Sequence, residues 1–288
     1  MTIRRVRIAG VLMLAASNLS WSADSTEAIR KAVTLRASFD EALRADQGGG
    51  ELVLSTRFNH ETEKNQFVFE KGFDPNVFRV ARNAGIVGGA LEAAGLLPRN
   101  GRIFFPARGN LAYRKDGWGG SVSVWLKTDP NTMLKTRFCD PVQITERGAT
   151  NGGIWFDFND AKPRDMRMGA FPAVHVGAKP IAEGDPAAPI IWLKDVGFKA
   201  TEWHHVVLIW EGFDTGQRTA RAALYVDGKP IGELKDREIA MKWDLDKAGI
   251  YIAVGYIGLL DELAVFNRAL TAAEVTLLFQ QPGLPANR

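Results

Sequence analysis

From Thr34 onward, apolar and polar residues alternate at period two, and Gly, Pro and Asp clusters interrupt the pattern roughly every eight to fifteen residues. Residues 121–127 put Val122, Val124 and Leu126 on one face. Residues 154–159 turn Ile154, Phe156 and Phe158 inward and Trp155, Asp157 and Asn159 outward. Residues 205–210 are apolar on both sides, as a central strand covered on both faces would be. Residues 222–231 contain Asp227-Gly228, the dipeptide a type I′ hairpin needs because both central residues require positive φ. Segments 250–254 and 259–266 supply two more strands. So many short strands between Gly and Pro turns predict an all-β fold, a two-sheet antiparallel β-sandwich of jelly-roll type.

Helix is scarce. Thr271 with Glu274 forms a capping box, Val275, Leu278 and Phe279 make an apolar stripe, and Pro282-Gly283 ends it, which predicts a short C-terminal helix. Residues 24–32 hold another helical turn. Residues 44–76, polar around a strand-like stretch at 51–58, read as a surface excursion, and 178–189 as a Pro/Ala loop.

The first residues carry Arg4, Arg5 and Arg7, then an apolar run over 8–16, then small and polar residues over 17–23. This is the pattern of a Sec-type signal peptide, and the run is too short to span a bilayer. Cleavage after Ser22 puts Ser20 at the −3 position, whereas cleavage after Ala23 would put the bulky Trp21 there. The expected organisation is a signal peptide over 1–22, an N-terminal segment over 23–32, one jelly-roll domain over 33–281 and a tail over 282–288. The expected location is secreted or periplasmic, with no transmembrane segment after cleavage.

The 36 Lys and Arg stand against 33 Asp and Glu, a net +3. Removing the three arginines of residues 1–22 leaves 33 basic against 33 acidic residues and no net charge. That balance, with no finger spacing and no long basic run, argues against nucleic acid as a partner. One Cys rules out an intrachain disulfide and a multi-cysteine zinc site.

The sharpest candidate for binding is the face carrying Trp155, Asp157 and Asn159. Sugars offer apolar C–H faces to aromatic rings and hydroxyl rims to carboxylates and amides. The following strand brings Arg167, able to pair across to Asp157, and Trp125 and Trp192 are placed on the same concave sheet. The alternative is that these tryptophans fill the sandwich or pack under loops. His204-His205 point to opposite faces, with His205 bonding backbone in the core and His204 exposed. Cys139 reads as a small buried filler.

Three segments follow one another at natural spacing: Trp203-His204-His205-Val206-Val207, Leu224-Tyr225-Val226-Asp227-Gly228-Lys229, and Leu260-Asp261-Glu262-Leu263-Ala264-Val265-Phe266 through Thr271. They resemble the last third of a laminin-G-like, concanavalin A-like lectin/glucanase jelly-roll domain. Gly89-Ala90-Leu91 and residues 121–127 fit its earlier strands. Residues 138–145 with 154–158 are similar to a group of uncharacterised secreted planctomycete-type proteins. The resemblance implies two sheets of about six or seven strands. It also implies members that bind glycans, members that bind proteins, and members that cleave polysaccharides, so fold alone does not decide. It further implies a structural calcium ion at Asp261, with Gly89 and Asp40 as weaker matches. The alternative is that Asp261 bonds backbone amides or an arginine.

Catalytic signatures are missing. A retaining glucanase of this fold needs two acids on one strand face about 5 Å apart, and no such spacing occurs. Asp261-Glu262 are adjacent and point to opposite faces. Gln143-Ile144-Thr145 is close to the Gln-Ile-His of alginate lyases but has Thr where the base belongs, and only a His from elsewhere, such as His175, could replace it. Gly119-Gly120-Ser121-Val122-Ser123 lacks the last glycine of a serine-hydrolase elbow. The expectation is therefore a non-catalytic binding module for carbohydrate or another extracellular ligand, including a protein. A polysaccharide-active lyase or hydrolase with an unrecognised site, and a structural protein of the cell envelope, are the alternatives.

Overall fold

The computed structural model describes residues 23–63 and 66–286. The segment read as a signal peptide, 1–22, lies outside the described residues. Two sheets stack face to face. The nine-stranded sheet runs β15 (Lys229–Arg237), β14 (Ala220–Val226), β13 (His204–Phe213), β8 (Trp118–Lys127), β17 (Gly258–Phe266), β1 (Val33–Ala37) and β2 (Gln47–Gly48). Strand β6 (Ala90–Ala93) also pairs with β17, and β5 (Phe78–Ala81) pairs with β6. The eight-stranded sheet runs β12 (Ile190–Leu193), β11 (Met166–Phe171), β10 (Gly153–Phe158), β9 (Cys139–Thr145), β16 (Gly249–Val254), β7 (Arg102–Pro106), β3 (Ser55–Asn59) and β4 (Phe67–Lys71). The strand pairings are antiparallel throughout.

The expected sandwich is present, with larger sheets than expected. Residues 44–76 are not a surface excursion: they contribute β2, β3 and β4, and the last two form one edge of the eight-stranded sheet. Their polar composition misleads because β4 is a largely exposed edge strand, while Arg57, Phe67 and Phe69 border a groove.

Period-two alternation builds the core. Val122, Val124 and Leu126 of β8 join Ile154, Phe156 and Phe158 of β10 in one buried cluster between the sheets. Each such side chain contributes roughly 1.5–3 kcal/mol on burial. Asp227 and Gly228 both have positive φ, as the hairpin between β14 and β15 demands. In β17, Asp261 lies opposite Trp125 and Ala264 opposite Ser123, so one extra residue bulges out at Glu262, which has φ 47°. That bulge lets Leu260 and Leu263 both face the core.

The outer face of the nine-stranded sheet is covered by two helices, α1 (Ala23–Ala32) and α2 (Ala272–Gln280). Ile29, Val275 and Leu278 pack there with Val207, Ile209, Ala223 and Phe266. Thr271 and Glu274 complete the expected capping box reciprocally. Trp125 belongs to this covered face, where its ring stacks on His205 (4.9 Å between centroids) and Phe279 (5.7 Å). It therefore does not share a sheet with Trp155. Because Val122, Val124 and Leu126 point inward, Trp125 must point the other way, under the helix.

Candidate functional site

The outer face of the eight-stranded sheet gathers the chemistry. On β10 and β11, Asp157 stands opposite Arg167, and Arg167 opposite Trp192 of β12. Arg167 binds Asp157 through both of its terminal contacts, Nε to Oδ1 at 2.9 Å and Nη2 to Oδ2, and reaches Glu183 of the 178–189 loop at 2.9 Å. Its guanidinium also lies about 5 Å from the rings of Phe138 (4.9 Å), Trp155 (5.2 Å) and Trp192 (5.2 Å). The expected Arg167–Asp157 pair is thus present, and its two members neutralise each other.

Trp155 is on this face but only 1% exposed, packed with Phe171 and Ile190 beneath the loop and donating Nε1–H to the Ala149 carbonyl at 3.0 Å. Gly169 opposite it leaves the necessary room, since a Cβ there would meet the indole at 2.2 Å. Trp155 is a support for the floor and not a platform a sugar can stack on. Trp192 is more open, at 40% exposure, and shares its ring with Arg167 and with Lys194, whose Nζ lies 4.0 Å over it. Asn159 accepts N–H bonds from Ala161 and Asp165 and donates to Asp165, so it shapes the turn after β10.

Gln143, noted above for its likeness to a lyase motif, and several residues that sequence reasoning missed continue the same face. Trp155 lies opposite Gln143 of β9, Gln143 opposite Tyr251 of β16, and Tyr251 opposite Phe104 of β7. Arg57 of β3 lies opposite Arg102 of β7 and Phe69 of β4. Phe104 packs on Tyr251 (5.0 Å) and on the exposed Phe69 (6.0 Å). Arg57 sits between the rings of Phe67 (4.2 Å) and Tyr251 (5.0 Å). Alternation within 55–59 and 67–71 could have signalled Arg57, Phe67 and Phe69, but their meeting with Phe104, Gln143 and Tyr251 depends on strand pairings distant in sequence that no local pattern reveals.

Three cavities follow one another along this face. One of about 920 Å³ is lined by Phe67, Phe69, Phe104, Tyr251 and Arg57. The next, about 510 Å³, shares Arg57 and adds Arg102, Asp140, Gln143 and Asp157. The third, about 550 Å³, shares Phe138 and Glu183 with the second and ends at Trp192. Together they form a groove across the strands, with aromatic residues at both ends and ionisable groups in the middle.

Burial pushes Asp140 well above the usual carboxylate range, and the neighbouring Asp157 pushes it further. Burial also pushes Asp157 up to about 6, against the pull of Arg167. Gln143 links the acids to the arginines: its Nε2 donates to Asp140 at 3.0 Å and its Oε1 accepts from Arg102 at 3.1 Å.

The three residues expected to hold calcium do come together, on the nine-stranded sheet. Asp261 Oδ2 accepts the N–H groups of Ile86 (2.7 Å) and Val87 (3.2 Å), and Oδ1 that of Glu262 (2.8 Å). Asp40 accepts the N–H of Gly89 at 2.8 Å. A Cβ on Gly89 would lie 2.6 Å from the Asp40 carbonyl oxygen, so the glycine allows the close approach. N–H groups suit a carboxylate and oppose a cation, and calcium needs six to eight oxygens. Among the described residues, no group of three or more acidic, His or Cys side chains could hold a metal. The arrangement anchors the loop over 85–89 through backbone N–H groups.

His205 is buried as expected, but it bonds the Ser123 hydroxyl (2.8 Å) rather than backbone, and burial holds its pKa down at about 3. His204 is only partly exposed: it bonds Asp227 (2.9 Å) and stacks on Phe198 (3.7 Å). Cys139 is buried, and burial pushes its thiol up.

A family model described as the concanavalin A-like lectin/glucanases superfamily, of laminin-G type, matches residues 103–276. The chain belongs to that family. Domain 4 of AbnA, an extracellular arabinanase from Geobacillus stearothermophilus solved with arabinotriose, has 17% identity and TM-score 0.51, with 86% of this chain and all of that one covered. The binding domain of botulinum neurotoxin serotype D has 13% identity and TM-score 0.55, with 90% of this chain covered. The same toxin's domain in complex with N-acetylneuraminic acid has 12% identity and TM-score 0.54, with 89% covered. The chain spans about half of each toxin domain, 53% and 52%. At these identities the likeness is one of fold. No curated protein matches the chain in sequence. No helix among the described residues is long and apolar enough to cross a membrane.

Proposed function

We propose that this protein is a non-catalytic carbohydrate-binding module whose ligand lies along the groove of the eight-stranded sheet. The observation that carries the reading is the groove itself: three adjoining cavities, with Phe69 and Trp192 exposed at its ends and hydrogen-bonding groups between them. Rings that stack on sugar faces and polar groups that meet hydroxyls are the two components a glycan site needs. Structural neighbours solved with arabinotriose and with N-acetylneuraminic acid agree with such a role. If residues 1–22 act as a signal peptide, the ligand is met outside the cytoplasm.

A glycan array followed by calorimetry tests this. Wild-type protein should bind at least one glycan, and Phe69→Ala with Trp192→Ala should weaken it about tenfold or more, the loss of stacking worth roughly 1–3 kcal/mol. Both residues lie at the surface, so the variant should melt as wild type does. Binding indifferent to these changes would overturn the reading.

A polysaccharide-cleaving enzyme is the second reading, favoured by two acids with raised pKa values in one groove. Against it, Asp157 is tied to Arg167, and burial lifts the hydroxyl of Tyr251, which leaves it a poor base. Release of unsaturated or reducing sugar by the pure protein would favour this second reading.

A further inference from the structure

Among the described residues four arginines are buried: Arg36, Arg57, Arg164 and Arg167. Three have partners suited to a buried guanidinium. Arg36 holds Glu262 through two contacts of 2.8 Å and Asp46 at 3.1 Å. Arg167 holds Asp157 and Glu183. Arg164 donates to the carbonyls of Leu134, Thr136, Arg137 and Asn159. Arg57 is different. At 6% exposure, its one hydrogen bond goes to the Tyr251 hydroxyl at a long 3.4 Å, and its buried Nε has no partner. Arg36 and Arg164 also leave Nε unpaired, but their terminal nitrogens meet carboxylates or carbonyls.

Directly opposite Arg57 stands Arg102, whose one hydrogen bond is to the amide oxygen of Gln143. Among the described residues neither arginine has an ion-pair partner. Both line the middle cavity of the groove. The carboxylates near them make no ion pair with them: Asp157 and Glu183 share Arg167, and Asp140, which attracts Arg102, is linked to it only through Gln143. Two like charges on facing strands, one buried and one half-buried, with no carboxylate in ion-pair contact, are unfavourable unless a ligand supplies the charge. Planar guanidinium groups present the fork geometry that carboxylates and sulfates accept in two-point contacts.

We infer that the middle of the groove is a subsite for an anionic sugar, with Arg57 and Arg102 binding the carboxylate of a uronate or the sulfate ester of a sulfated residue. This deepens the glycan-binding reading and rests on it. Tyr251 and Phe67 flank Arg57 and hold its guanidinium toward the cavity. Sugars on either side of the charged residue then extend toward Phe69 and toward Trp192.

The test is calorimetry of the wild-type protein with oligogalacturonate, a sulfated galactan oligosaccharide and neutral arabino-oligosaccharide of matched length, at two sodium chloride concentrations. The expected result is an affinity for one anionic ligand about tenfold or more above the neutral one, falling as salt rises. Arg102→Gln, at a half-buried position, should cut that anionic-to-neutral ratio about tenfold, as loss of a charge-assisted hydrogen bond predicts. Arg57→Gln should do the same, and if it fails to fold, Arg102→Gln decides alone. Preference for oligogalacturonate identifies a uronate, and preference for the galactan identifies a sulfate ester. Neutral ligand bound as tightly as both anions overturns the anionic subsite and leaves the glycan reading standing. No binding of any glycan overturns both.

Discussion

On the nine-stranded sheet, the outward residues Val207, Ile209, Ala223 and Phe266 lie beneath α1 and α2 and form a second hydrophobic core. On the eight-stranded sheet, the outward residues include Arg57, Arg102, Gln143, Asp157 and Tyr251, and they line cavities. Both faces arise from the same alternation, in which inner positions fill one sandwich core. Only the outward residue types differ, and that difference assigns one face to stability and the other to a ligand. Trp125 and Trp155 show the contrast between sequence pattern and role: each is outward on its strand, and each is buried by a different cover, α2 for one and the 178–189 loop region for the other.

The largest effect expected from this contrast is on the helix-covered face. Leu278→Ala removes a fully buried side chain and should cost about 2–5 kcal/mol in urea unfolding. A loss below 0.5 kcal/mol would mean that α2 is not part of the folded core.

Next in size is the pH response of the loop anchor. Burial pushes Asp261 up to about 8 and Glu262 up to about 7. A carboxyl whose folded pKa exceeds its unfolded one binds its proton more tightly when folded. Its contribution is therefore full below about pH 4 and is lost as pH rises through about 8. Asp261→Asn mimics the neutral acid and should flatten the fall in Tm between about pH 5 and about pH 9. Identical slopes in variant and wild type would contradict the raised pKa. EDTA should leave the wild-type Tm unchanged, whereas a fall in Tm would restore calcium at this anchor.

Smaller again is the cap of α2. Thr271→Ala should cost about 1 kcal/mol, read by chemical unfolding, because it removes the acceptor for the Glu274 N–H. No change would mean that the Glu274–Arg268 pair holds the helix end by itself. Smallest of all is Phe69→Ala on the open face, expected within about 0.5 kcal/mol of wild type in stability. Destabilisation well beyond that would make Phe69 a structural residue and blur the division between the two faces.

Much of the architecture was legible in the chain. Period-two runs located β8 and β10, a run apolar on both sides located β13, segments 250–254 and 259–266 located β16 and β17, Asp227-Gly228 located the hairpin, and Thr271 with Glu274 located α2, since each is a local signal. Of the site, the cross-strand pair Asp157–Arg167 was legible because β10 and β11 are neighbours in sequence. Arg57, Arg102 and Tyr251 were not, because their proximity depends on pairings among β3, β7 and β16, which are far apart in the chain. Nor does outward direction reveal exposure. Trp155 and Trp192 both point outward, but what lies above each is a matter of tertiary packing.

Hydrogen exchange of the glycan-bound protein tests the central claim most directly. Bound ligand should slow exchange in residues 146–151 and 183–188, which border the groove, and leave α2 unaltered. Protection confined to α2 and the 226–229 hairpin, with none along the groove, would contradict it.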